Sequence, residues 1–198
     1  MGSKDLRGRS NWQIQSGAKG ESAEEFFYTV MQDHFKGTPY RIRKKPREFK
    51  DIYSNVSLGE ETLNQIYNPD ETWSHGIIPD YAIDNIETDK SIYVEVKSQD
   101  GWVEDKPRNA GRGNVHERSN KYFTPGLQKI LREKGNLPES VLPFWVVFQG
   151  DIARDPKRVR EISLWYQGIE SHFLLWHNSR KPDQLIKHFD DLIAPLLA

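Results

Sequence analysis

The chain contains no cysteine. Disulfide frameworks, thiol nucleophiles and cysteine-ligated zinc are therefore excluded, and a reducing compartment is permitted. No stretch approaches the eighteen or so consecutive apolar residues of a membrane-spanning helix, and Met1-Gly-Ser-Lys-Asp-Leu-Arg7 lacks the apolar segment of a signal peptide. These absences predict a cytoplasmic protein with no membrane partner. No internal repeat or low-complexity tract is visible, and 198 residues suit one domain (1–198) with a core large enough to fold without staples. The histidines form no zinc-protease pattern, because His172 and His177 are five apart with no glutamate between them.

What is present is charge, strongly sorted along the chain although the net value is only −1. From Arg41 to Lys50 six bases stand against one acid, from Asp51 to Asp105 thirteen acids against two bases, and from Lys106 to Lys121 five bases against Glu117. Such sorting suits a protein that grips a polyanion with some segments and holds cations with another. The blander reading of each run is a solvated surface.

A coarse pass predicts a first helix over about Ser22 to Phe35, capped by Ser22, with Ala23, Phe27, Val30, Met31 and His34 on its buried face. A hairpin is expected over Ile77 to Ser98. A helical pattern runs from about His116 to Lys134, interrupted at Pro125 and stopped by Gly135. Phe144-Trp-Val-Val-Phe148 reads as a strand buried on both faces, and Ile162-Ser-Leu-Trp-Tyr166 as another. The last helix, Pro182 to about Leu197, stripes Leu185, Ile186, Phe189, Leu192, Ile193 and Leu196 along one side. Strands flanked by helices predict an α/β fold.

Chemistry concentrates in the hairpin. Asp80 follows Pro79, which cannot donate to a sheet ladder, so a bend is expected there. In the second strand Ile92, Val94 and Val96 alternate with Tyr93, Glu95 and Lys97, so one face packs while the other presents a carboxylate and an ammonium. Closing the hairpin brings Asp80 near Glu95, and two carboxylates that close repel unless a cation sits between them. Mg2+ suits such a pair because it takes one or two carboxylates, keeps water and accepts phosphate oxygens. Lys97 would face the same water and any charge developing on a phosphate. Read alone, the pattern is also that of a hairpin with a solvated charged face.

A second segment, Ala110-Gly-Arg-Gly-Asn-Val-His-Glu-Arg-Ser-Asn-Lys121, places two glycines before a helix start and then projects Arg112, Asn114 and Arg118. Arginine can bind guanine through two hydrogen bonds and asparagine can do the same for adenine, so this set fits the edge of a duplex groove. An anion-binding loop with an internal ion pair from Glu117 fits the same residues.

Together, Pro79-Asp80, Glu95-Val-Lys97 and Gly113-Asn-Val-His-Glu-Arg-Ser-Asn-Lys121 resemble type II restriction endonucleases of the PD-(D/E)XK superfamily, in the EcoRI/MunI branch and most of all on its MunI side. Two signatures in the expected order are far more specific than either alone. The resemblance implies a restriction-endonuclease-like fold with a central mixed sheet flanked by helices. It implies a homodimer that hydrolyses double-stranded DNA at a palindrome with central AATT, CAATTG being favoured by Arg112, and leaves 5′-phosphates and 5′ overhangs. Asp80, Glu95 and Val96 are the implied Mg2+ ligands, and Asp80, Glu95 and Lys97 the implied catalytic residues. Arg112, Gly113, Asn114, Val115, His116, Glu117, Arg118 and Lys121 are the implied DNA-binding residues. Val115 departs from an expected alanine and Asn120 from the expected residue before the closing lysine. No nucleotide cofactor is implied. A repair nuclease or junction resolvase of the same fold, and a non-catalytic DNA-binding protein, are the alternatives; whether Glu24 or Glu25 joins the metal shell stays open.

Overall fold

The structure is a computed structural model. It describes residues 11–68, 73–99, 116–177 and 181–198, with the backbone only for 11–22. Arg112, Gly113, Asn114 and Val115 therefore lie outside the described residues.

Five strands form one mixed sheet in the order β1-β2-β3-β4-β5, namely Tyr40–Lys44, Tyr81–Asn85, Lys90–Ser98, Phe144–Gln149 and Phe173–Trp176. The first three run antiparallel as a meander, while β3, β4 and β5 are mutually parallel. Parallel neighbours need crossover connections. These are supplied by a 3-10 helix (His116–Phe123) with α3 (Pro125–Lys134) between β3 and β4, and by α4 (Pro156–Trp165) between β4 and β5. The helix α1 (Asn11–His34) precedes the sheet, a short α2 (Glu60–Leu63) lies between β1 and β2, and α5 (Asp183–His188) closes the chain through a π-helical turn and a 3-10 turn.

Strand alternation divides the core into two layers. Ile83, Ile92, Val94, Val96, Trp145 and Val147 pack against Phe27 and Met31 of α1 and Leu185 of α5. On the opposite face Ala82, Tyr93, Phe144, Val146 and Phe148 pack against Tyr122, Leu127, Leu131 and Ile162. Both faces of β4 are covered, which is why its sequence is apolar from Phe144 to Phe148. Phe27 is fully buried one turn beyond Glu24, so truncating it to alanine would cost about 3–5 kcal/mol and loosen the helix that carries that carboxylate.

Several expectations change. The first helix is already regular from Asn11, so Ser22 lies within it and does not cap it. Residues 162–166 are not a strand but the end of α4 and its C-cap: Asp155 accepts hydrogen bonds from the amides of Lys157 and Arg158, and Pro156 opens the helix. The missing fifth strand is Phe173–Trp176. In the C-terminal segment Leu185, Phe189, Ile193 and Leu197 are fully buried, whereas Leu192 is exposed. A spacing of four throughout fits a helix that widens into a π turn. Gly135 does end α3, because a Cβ there would stand 2.3 Å from the carbonyl oxygen of Ser91.

Candidate active site

The hairpin register pairs Tyr81 with Val94. One residue further along each strand, Asp80 faces Glu95. The bend at Pro79-Asp80 lets the Asp80 side chain turn into the sheet end, where its Oδ2 accepts a hydrogen bond from the amide of Val96 at 2.9 Å. Glu95 and Lys97 flank that amide and share the face opposite the Val96 side chain, which lies in the α1 layer of the core. Asp80 and Glu95 are each 7% exposed, so both oxygen donors sit at the floor of the site rather than on a solvated face.

Every oxygen of the pair is engaged. Lys97 Nζ lies 2.5 Å from Glu95 Oε1, and the hydroxyl of Tyr122 donates to Glu95 Oε2 at 2.8 Å. Lys45 Nζ lies 2.6 Å from Asp80 Oδ1 and 2.8 Å from Glu24 Oε2. The Lys45 amide also donates to the Asp80 carbonyl at 2.9 Å. Lys45 has φ of +46° immediately before Pro46, a backbone conformation that side-chain-bearing residues adopt at a cost of about 1–3 kcal/mol. Glu24 is tied in from the other side, since the Tyr81 hydroxyl donates to its carbonyl at 2.6 Å. Burial and the nearby charge of Asp80 push the Glu24 carboxyl up, while Lys45 opposes the shift. Burial would lower the Lys45 ammonium, but Asp80 and Glu24 hold it above the ordinary lysine value. Glu25 takes no part here; it pairs with Lys44 at 2.7 Å.

Two buried carboxylates, each paired with a lysine ammonium, are hard oxygen donors of the kind that could hold a cation. Among the described residues no three histidine or acidic side chains are grouped to hold a metal ion. An ion that needs only one or two protein carboxylates fits; an all-protein cage does not.

The segment that follows the hairpin is wound as a 3-10 helix. Its period of three puts His116, Ser119 and Tyr122 on one buried stripe and leaves Glu117 and Arg118 exposed, with Lys121 half-buried. His116, expected at a DNA surface, is instead fully buried. Its ring stacks on Trp165 with centroids 5.0 Å apart and planes 9° apart. His116 Nε2 lies 2.9 Å from Glu161 Oε2 and 3.1 Å from Arg158 Nη1, which itself reaches Glu161 at 2.7 Å. Burial and the neighbouring Arg158 hold the His116 imidazole below its ordinary value, against the pull of Glu161. His116 thus pins the segment to α4, while Glu117, Arg118 and Asn120 face outward.

The basic run from Arg41 to Lys50 also changes meaning. Arg41 and Arg43 both reach Asp84, at 3.0 and 2.7 Å, and Arg43 reaches Glu48 at 2.7 Å. Burial alone would raise the Asp84 carboxyl, but Arg43, Ser91 and Arg41 hold it below the usual carboxylate range. With Lys44 and Lys45 paired as well, much of this run neutralises neighbouring acids. Alternation of Tyr40 and Ile42 with the two arginines was the available sign of an edge strand, masked by its charge.

The profile of the family described as type II restriction enzyme MunI matches residues 1–198. The chain belongs to that family. As a MunI-family member it is a site-specific endonuclease. The type II restriction enzyme MunI of Mycoplasma sp is 45% identical over 201 residues, covering 100% of each chain. A crystal structure of MunI restriction endonuclease in complex with cognate DNA superposes with a TM-score of 0.78 at 44% identity, covering 98% of this chain and 100% of that one. The mixed five-stranded sheet with flanking helices is thus the MunI fold. No helix among the described residues is long and apolar enough to cross a membrane.

Proposed function

We propose that this chain is a Mg2+-dependent type II restriction endonuclease that cuts double-stranded DNA at CAATTG, leaving 5′-phosphates and 5′ overhangs. It acts as a homodimer of single-domain subunits, each cleaving one strand, because a two-fold site calls for a two-fold protein. The observation that carries the reading is the meeting of Asp80, Glu95 and Lys97 through the Val96 amide. Cognate DNA in the matching MunI complex supports the choice of substrate.

Asp80 and Glu95 would hold the ion, beside the main chain of Val96. When bound, Mg2+ polarises the scissile phosphate and makes an attacking water more acidic. The protein's own share is positional. The Val96 amide fixes one Asp80 oxygen, Tyr122 fixes one Glu95 oxygen, and Lys97 is the ammonium closest to Glu95, placed to steady negative charge that develops on the phosphate oxygens as water attacks the phosphorus. Arg112, Gly113, Asn114, Val115, Glu117, Arg118 and Lys121 bind the DNA, with Arg112, Asn114 and Arg118 reading the bases, and His116 anchors the helix that carries Glu117, Arg118 and Lys121.

Digestion of a sequenced plasmid with Mg2+, with both ends mapped to the nucleotide, tests this reading. Cuts at every CAATTG and nowhere else are expected. Cuts confined to another palindrome would overturn the site assignment, and structure-dependent nicking would favour a repair nuclease.

A further inference from the structure

Tyr122 is the last buried residue of the 3-10 helix His116–Phe123 and is 1% exposed. Its ring stacks with Phe144 of β4 at 5.5 Å between centroids, and its hydroxyl ends on Glu95 Oε2. The same short helix presents Glu117 and Arg118 to solvent and is locked to α4 through His116. Little more than one turn of a single 3-10 helix therefore separates the arginine assigned to base reading from a hydroxyl that holds an assigned metal-binding carboxylate.

We propose that Tyr122 is a positioning residue that ties the placement of Glu95 to the seating of the recognition segment, so that cleavage discriminates between sequences more sharply than binding does. The proposal rests on the function assigned above. The physical basis is direct. A hydrogen bond to a carboxylate is sensitive to displacements of a few tenths of an ångström, and a 3-10 helix pinned at His116 and carrying both Arg118 and Tyr122 has no loop between them in which to absorb a misfit at Arg118. A correct site seats Arg118 and leaves the Tyr122 bond intact. A wrong base pair shifts the helix, lengthens that bond and leaves Glu95 held by Lys97 alone.

Tyr122→Phe removes the hydroxyl and keeps the ring in its place against Phe144, so folding is preserved. Single-turnover cleavage and equilibrium DNA binding are measured on the cognate duplex and on duplexes with one base pair changed, for the full-length variant and the parent. Cleavage of the cognate duplex should fall by about 10–100-fold, as for other residues that orient a metal ligand, with its Kd for DNA unchanged. The near-cognate rates should fall much less, so the ratio of cognate to near-cognate cleavage shrinks while the ratio of their Kd values stays as in the parent. An equal fall on all duplexes would leave Tyr122 as a support for Glu95 without a link to recognition and would overturn the proposal; unchanged rates would overturn it outright. Arg118→Ala, run in parallel, separates the two levels: if it leaves base preference intact, the assigned recognition segment fails whatever Tyr122→Phe does.

Discussion

The amide of Val96 donates to Asp80 Oδ2 at 2.9 Å, so a main-chain group flanked by Glu95 and Lys97 sets the position of a carboxylate sixteen residues earlier. This bond makes the site a property of the sheet. The hairpin register, rather than any flexible loop, decides how far Asp80 stands from Glu95. A site built on strands holds its geometry more closely than one built on loops, which a metal and a phosphate both require.

Lys45 holds Asp80 and Glu24 at distances of 2.6 and 2.8 Å and is a positive charge that a divalent ion in the proposed site would have to displace. Replacing it by methionine should tighten Mn2+ or Ca2+ binding to the DNA-free protein by about tenfold or more, given the strength of charge repulsion at such range. Calorimetric titration measures this directly. Unchanged or weaker binding would mean that Lys45 does not compete for the site.

Arg118 is exposed on the 3-10 helix, next to the exposed Glu117. Arg118→Ala should cost about 1–3 kcal/mol of discrimination at one base-pair position and leave non-specific binding almost unaltered. Competition binding with singly substituted duplexes would show it. A uniform loss across all sequences would instead mark Arg118 as a phosphate contact.

The pinning of the proposed recognition segment depends on Glu161, which accepts from Arg158 and meets buried His116. Glu161→Ala leaves a buried guanidinium without that partner and should destabilise the protein by about 1–3 kcal/mol. It should also weaken cognate DNA binding, because Glu117 and Arg118 lose their fixed base. Urea unfolding paired with a binding isotherm checks both; a destabilised variant with full affinity would contradict the anchoring role.

His172 is buried, and its imidazole is lowered to about 4, by burial first and by the neighbouring His188 as well. The folded state then resists a proton that the unfolded chain accepts near its reference value of about 6.5, so stability is complete above that pH and declines as pH falls toward 4. The loss from this one residue is on the order of 3 kcal/mol, and His116 and His188 act in the same direction. Urea unfolding between pH 7 and pH 4 should show the decline, with a smaller slope for His172→Gln. An equal slope in that variant would contradict the assignment.

Much of this was legible from residue pattern. Strict alternation announced β3 with its two faces, Pro79 announced the bend at Asp80, and a continuous apolar run announced β4. The misread elements have physical causes. Ile162-Ser-Leu-Trp-Tyr166 is rich in residues that favour strands, but the Asp155-Pro156 start overrides that preference and winds it into α4. Charge on Arg41 and Arg43 hid the alternation of β1. Contacts made by Lys45 with Asp80, and by Tyr122 with Glu95, span 35 and 27 residues and leave no local trace in the chain. His116 was misassigned for the same reason, since its partners Arg158 and Glu161 arrive only when α4 packs.

The most direct test of the catalytic assignment is single-turnover cleavage of a CAATTG duplex by Asp80→Ala, compared with the parent at saturating Mg2+ and accompanied by a binding measurement on the same duplex. Losing a metal ligand and a negative charge beside the phosphates should abolish cutting and leave specific binding equal or stronger. Cleavage at the parental rate would show that the chemistry lies elsewhere in the molecule.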